Sequence, residues 1–326
     1  MDQVKKVLKY GALFSFFGFF LYVMFNPVQV RYAVFDWYRR NNFEPTQEIQ
    51  VITDRIQLTE AGESLFYATQ PQLITASVFS DFCPSAEESN VLGCYNRDLT
   101  YILDVSEQSL ERVEDVTAVH ELLHAVWARL DTEGKEELAD RLTTVFEQTN
   151  DERLIELIQS YRASDTGEDP LYIANELHSI LGTEVSELNP ELEEHYAQFL
   201  NDRQAVVDLF NSYNGEFERR ESRIEELQSN MEQLRTDIDE GNATIDELNR
   251  QNEDLVARIN NLRAAGKVQE SNALVPQQNA LVARIRLEVN NVNELIAEFN
   301  KSVEENNNLA IELNQLVESL DSRAQQ

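Results

Sequence analysis

From Phe217 onward the chain is committed to paired long helices. Phe217, Ile224, Met231, Ile238, Ile245 and Ile259 fall seven apart, with Asn252 taking one turn of the series. Leu227, Leu234, Leu248, Leu255 and Leu262 fill the partner positions, with Gly241 interrupting them. This is an a/d heptad seam. It breaks at residues 266–276, between Gly266 and Pro276, and then restarts. Ile285, Val292, Phe299, Leu313 and Leu320 form one series with Asn306 in line, and Leu281, Leu295, Leu309 and Leu316 form much of the other. Two arms around a Gly- and Pro-containing break predict an antiparallel helical coiled-coil hairpin over 206–326; a parallel homodimeric coiled coil would use the same seam. Val289, Ile296, Val303 and Val317 widen the second arm's apolar face, so that arm can bury against more than one helix. Asparagines in a seam trade stability for register, which suits a defined pairing with a protein partner or by self-association.

The other end of the chain reads as a membrane tether. Lys5, Lys6 and Lys9 precede an apolar run from Tyr10 to Phe25, which Asn26-Pro27 ends. The run lies near the lower bound of about 17 residues for a spanning helix. It is long for a signal-peptide core, and no small-x-small cleavage site follows it. Residues 1–26 are therefore expected to form a cytoplasmic stub and an uncleaved transmembrane signal anchor, with a cleaved signal peptide as the alternative. The three lysines favour a cytoplasmic N-terminus and an extracytoplasmic body in a single-pass protein of the cell membrane. Arg31, Arg39 and Arg40 oppose that orientation. With 59 acidic against 27 basic residues the net charge is −32. A chain so acidic repels phosphate backbones, which excludes nucleic acid as a partner.

Between these ends, residues 27–205 read as a mixed but mostly helical α+β domain. Glu48–Ile52, Gln72–Phe79 and Leu99–Val105 carry β-branched and aromatic residues between turn-like clusters, and each predicts a short strand. Leu58–Ala68 predicts a helix, and residues 106–210 are helical, with Val113, Val116, Leu123, Val126, Trp127 and Leu130 at three- and four-residue spacing. The two cysteines, Cys83 and Cys94, flank a polar loop. In an extracytoplasmic body they can close it as a disulfide; spacing alone leaves two free thiols equally open.

The chemistry centres on His120-Glu121-Leu122-Leu123-His124. Histidines four apart lie one above the other on a helix, so both imidazoles can hold one zinc ion (Zn2+) without bending the backbone. Glu121 then stands beside the metal, placed to take a proton from an attacking water. Two of only four histidines are used here. A third ligand is needed, but Trp127 and Leu130 occupy the positions where a compact extension would put a glycine and that ligand. The ligand is expected from Pro170–Leu181, a helix capped by Asp169, opened by Pro170 and stopped by Gly182. Its apolar face, Ile173, Leu177, Ile180 and Leu181, points to Glu176 as the ligand, with His178 as the alternative or as a partner of the ligands. His195 and Tyr196 can donate to a developing oxyanion, and Asp115 and Asp140 can orient the zinc histidines.

His120 to His124 with a later helical glutamate resembles the gluzincin group of zinc metallopeptidases, the thermolysin-like arrangement. The resemblance implies a zincin-like fold with His120, His124 and Glu176 on zinc, Glu121 as general base, and a peptide or protein substrate. It departs from that family in the long interval from His124 to Glu176, and in Ile180, which stands where the family often has an aspartate. Gly93-Cys94-Tyr95, Val116-Thr117-Ala118-Val119 and the stretch from Leu177 to Glu184 also resemble membrane-anchored zincin-like proteins of small-genome bacteria that have no assigned activity. The competing reading is a non-catalytic surface scaffold whose coiled coil does the work beside a structural or degenerate zinc site.

Overall fold

A computed structural model describes residues 27–84, 91–163 and 167–322. In chain order its elements are α1 (Pro27–Asn41), α2 (Gln47–Ile56), α3 (Glu60–Ala68), β1 (Gln72–Ile74), α4 (Ala76–Phe82), β2 (Gly93–Asn96) and β3 (Leu99–Leu103). There follow α5 (Val113–Arg129), α6 (Thr132–Glu147), α7 (Glu152–Arg162), α8 (Pro170–Glu184), α9 (Pro190–Tyr196), α10 (Arg203–Ala264) and α11 (Val268–Ser319). The described chain is mostly helical and ends in a long helical hairpin. It divides into two compact units: the described residues up to Glu216 together with 317–322, and Phe217–Leu316.

In the first unit the helices start where side chains satisfy their orphan amides. Thr59, Asp131, Asp151, Asp169 and Asn189 each accept from a backbone N–H one turn in, at 2.8–3.1 Å, worth about 1 kcal/mol apiece. The sheet has the order β1-β3-β2. β1 runs parallel to β3 with Leu73 opposite Ile102, and β2 antiparallel with Cys94 opposite Tyr101. Arg97 and Asp98 join β2 to β3 with φ of 52° and 63°, the left-handed pair that a two-residue hairpin turn requires. One face of the sheet contributes Ile102 to the main core, with Phe66, Val119, Leu122, Leu123, Leu177, Leu181 and Tyr196. Phe79, Cys83, Tyr101 and Leu103 form a smaller cluster. There Cys83 and Cys94 are joined in a disulfide, which resolves the pairing that spacing left open. Closing a loop of this length, with a separation of 11 residues, removes unfolded-state entropy worth roughly 3 kcal/mol.

Three local expectations are corrected. Glu48–Ile52 is helix, within α2, because Ile49, Ile52, Thr53 and Ile56 are buried at helical spacing and Thr46 caps the start. Of Gln72–Phe79 only Gln72–Ile74 is strand, since Thr75 opens α4. Gly182 does not stop its helix, which continues to Glu184. The glycine is there for space: a Cβ would overlap Leu123 Cδ1 on α5 and approach Tyr196 Cε1 to 2.8 Å. Gly182→Ala should therefore wedge α8 off α5 and destabilise the unit by about 1–3 kcal/mol, read as a lower denaturation midpoint with unchanged slope.

The second unit pairs its two arms antiparallel. Arg220 meets Glu312 at 3.2 Å, Arg223 meets Glu305 at 2.8 Å, and Asn230 donates to Ser302 at 3.4 Å. Leu227, Leu234, Leu248, Leu255 and Ile259 are buried along the seam, opposite Val292 and Leu316 among others. The turn is shorter than residues 266–276. Gly266 takes a φ of 75°, its N–H bonds Arg263 O at 3.0 Å, and the Lys267 N–H bonds Leu262 O at 2.9 Å. That bond pair closes a helix C-terminus through a left-handed residue. Pro276 lies inside α11. Among the described residues no helix is long and apolar enough to cross a membrane. The anchor expected at residues 1–26 lies outside the described residues.

Candidate metal centre

Helix α5 is fixed at its foot before it presents any chemistry. The buried Asp115 carboxylate accepts from Arg55 Nη2 at 2.6 Å and from Arg112 Nε at 2.8 Å. Asp115 thus holds the helix start rather than a zinc histidine, and Asp140 stands exposed on α6. One face of α5 packs on α8. Among the described residues this contact gathers one candidate metal-holding group: His120, His124 and Glu176 each offer a ligand atom, all within 4.8 Å of one another. The His120 and His124 rings lie 4.9 Å apart, and His124 Nε2 stands 3.8 Å from Glu176 Oε2. A tetrahedral zinc with bonds of roughly 2.0–2.2 Å sets its donors about 3.4 Å apart, so this pair stands a few tenths of an ångström wider than a bound ion would hold it. The group could hold a metal ion.

Burial shapes the protonation of this cluster. It pushes His120 well below its usual range, helped by His124, which keeps a lone pair free for a metal. Burial alone would also depress His124, but the Glu176 and Glu121 carboxylates and Asn175 hold it above its ordinary value. Glu176 is raised by burial, with His124 opposing. Burial pushes Glu121 up to about 7, against His124 and with Glu176, while the Tyr95 backbone hydrogen-bonds it and pulls it down. Glu121 Oε2 is buried with no hydrogen-bond partner. Strand β2 lies against this carboxylate. A Cβ on Gly93 would come within 2.6 Å of Thr117 Cγ2 and 3.0 Å of Glu121 Oε1.

Two side chains that sequence reasoning did not single out belong to the same place. Asn175 directly precedes Glu176. Its Oδ1 and the Nδ1 of His124 are both buried, and neither has a partner in bonding geometry, yet Asn175 still favours the protonated His124 ring. His124 Nε2 has Ser179 Oγ at 3.4 Å, so the Asn175 side of the ring is its Nδ1 side, and an acceptor there would keep the proton on Nδ1. Burial raises the phenol of Tyr161 on α7, and the charge of Glu176 adds to it, followed by Tyr172, Glu184 and Glu121. Residue type gave little signal for either; adjacency to Glu176 was the only pointer to Asn175.

His178, His195 and Tyr196 meet one another rather than the group above. Leu123 O can only accept, so His178 Nδ1 donates to it at 3.1 Å. His178 Nε2 then accepts from His195 Nε2–H at 2.8 Å. With both nitrogens engaged, His178 is not available as a ligand in this arrangement. Tyr196 is fully buried and donates to His178 O at 2.8 Å, so its hydroxyl faces backbone. Burial, with Arg141, pushes His195 down to about 4. The three form a strut from α9 through α8 to the carbonyl of Leu123, inside the His120–His124 turn.

Comparison of the chain with protein-family models, with curated proteins and with solved structures found no match in any of the three.

Proposed function

We propose that the chain is a membrane-anchored zinc metallopeptidase with a zincin-like catalytic domain. The observation that carries this reading is Glu121: a buried carboxylate with one oxygen lacking a hydrogen-bond partner, beside a His-His-Glu donor set. Two imidazoles and one carboxylate are a donor set of the catalytic zinc type, which keeps an open position. Bound there, zinc would acidify a water and polarise a substrate carbonyl. His120, His124 and Glu176 hold the metal, and Asn175 orients His124. Glu121 takes the proton of the attacking water and returns it to the departing amine, acting first as general base and then as general acid. β2 is a sheet edge, and an extended peptide can add along it beside Glu121 as a further strand. The Cys83–Cys94 disulfide supports an oxidising, extracytoplasmic location for the body, with the apolar run Tyr10–Phe25 as the anchor.

The scaffold reading draws on α11, where Val289, Ile296 and Val317 remain exposed at seven-residue multiples, a stripe suited to a partner helix. Metal content separates the two in part. Purified full chain should carry about one zinc per molecule by elemental analysis, consistent with a single site. His120→Ala, His124→Ala and Glu176→Ala should each lose it, while His178→Ala keeps it. Wild type should digest unfolded casein, stop in chelator and recover with zinc; metal-free wild type, or digestion indifferent to chelator, overturns the proposal.

A further inference from the structure

Helix α1 is amphipathic the wrong way round. Its inward positions are polar and tie it to the body: Gln29 donates to Asp131 at 3.0 Å, Tyr32 to Asp98 at 3.1 Å and Arg39 to Asp98 O at 3.0 Å. Asp36 takes both arms of the Arg129 guanidinium at 2.7 Å, and that guanidinium also covers the Tyr32 ring at 4.5 Å. The outward positions are apolar. Val34 is 60% exposed, Phe35 52%, Trp37 63% and Tyr38 58%. A soluble helix packs its apolar stripe inward. Here four apolar side chains within little more than one turn, three of them aromatic, face away, and of the arginines beside them Arg31 lies 3.7 Å from Asp98 and Arg40 donates to Ser64 at 2.8 Å.

We propose that this outward face of α1 lies in the interfacial layer of a lipid bilayer, seating the body against the membrane surface. Trp and Tyr favour that layer, where an apolar ring body meets a polar headgroup. Two observations select lipid over other occupants. The apolar run Tyr10–Phe25 ends two residues before Pro27, the first residue of α1, so a bilayer that takes up that run meets α1 at once. A second copy would bring a charge of −32 against −32, a repulsion that a phosphatidylcholine surface lacks. The consequence reaches the metal centre, because α1 grips Asp98 at the end of β2 and Arg129 at the end of α5. The two elements that frame Glu121 are thus tied to the membrane face, which favours membrane-proximal polypeptides as substrates. The inference rests on the anchoring part of the proposed function.

The chain has only two tryptophans, and Trp127 is buried in the core, so Trp37 reports on the surface. Full chain is reconstituted into phosphatidylcholine vesicles brominated at shallow or deep acyl positions, and floated. The expected result is co-flotation with loss of the Trp37 emission. Shallow bromines should quench more than deep ones, since an interfacial helix rests roughly 5–10 Å into the headgroup–acyl boundary. Trp37→Phe removes the quenching, and Phe35→Trp in that background restores it. Co-flotation with Trp37 unquenched by bromines but open to aqueous iodide overturns the α1 inference and leaves anchoring intact. Trp37 shielded from both quenchers assigns the face to a protein, and also overturns it. A chain that does not float removes the anchor and this inference together.

Discussion

Glu121→Gln is expected to leave the metal in place and to lower peptide hydrolysis by about 10²–10⁴-fold, the usual contribution of a general base. The glutamine side chain has nearly the same shape, so it still fits under Gly93, where a Cβ would already stand 3.0 Å from the carboxylate. What it cannot do is accept a proton near neutral pH. The metal donors, His120, His124 and Glu176, are untouched. Elemental analysis should therefore give the wild-type content while digestion of casein falls. Metal retention is the essential half of the result, because activity lost together with metal would only show that the site had collapsed. In the scaffold reading Glu121 is a buried acid with no task. Its replacement by a neutral amide would then leave function unchanged and raise stability. Equal hydrolysis by wild type and variant would end the case for Glu121 as base.

The helices of this centre were legible because each had local punctuation. Asp169 and Pro170 marked the start of α8, and the apolar spacing of α5 placed His120 and His124 on one helix face. The antiparallel hairpin followed from seam, break and seam, and cross-arm pairs such as Arg223 with Glu305 bear it out. What failed was local chemistry overridden by packing. Ile49, Val51 and Ile52 favour a strand on propensity, but burial at Ile49, Ile52 and Ile56 demands a helix. Gly182 looked like a helix stop because a glycine's usual reason there is conformational; its reason here is the Leu123 side chain from another helix. Contacts between elements distant in sequence were illegible for the same reason. Nothing in residue order says that Gly93 lies on Glu121, that His178 bonds the carbonyl of Leu123, or that Tyr161 senses Glu176. The inverted face of α1 was written in the sequence as Val34, Phe35, Trp37 and Tyr38, but only its inward ion pairs reveal which side faces the protein.

The second large effect is in pH. At pH 6 the metal-free centre holds protons that a metal must expel: His124 is raised above its ordinary value and Glu121 sits at about 7, while burial shifts Glu176 in the same direction. His120 is depressed and contributes none. Metal affinity should therefore fall on acidification from pH 8 to 6, by about tenfold per pH unit for each proton displaced. Competition with a chromogenic chelator at the two pH values measures it. The same protons act on stability in the opposite sense. For Glu121, a folded pKa of about 7 against 4.5 unfolded means stability is fully present below 4.5 and is lost as pH rises through 7, by about 3 kcal/mol. Metal-free Glu121→Gln should accordingly match metal-free wild type near pH 4 and exceed it at pH 8. The depressed histidines His120, His178 and His195 pull the other way on the acid side, but they are common to both proteins and cancel in the difference. Metal loading should reverse the order at pH 8, because a cation beside Glu121 favours its ionised form. A stability gap between wild type and variant that ignores both pH and metal would mean that the Glu121 carboxylate does not face the donor group.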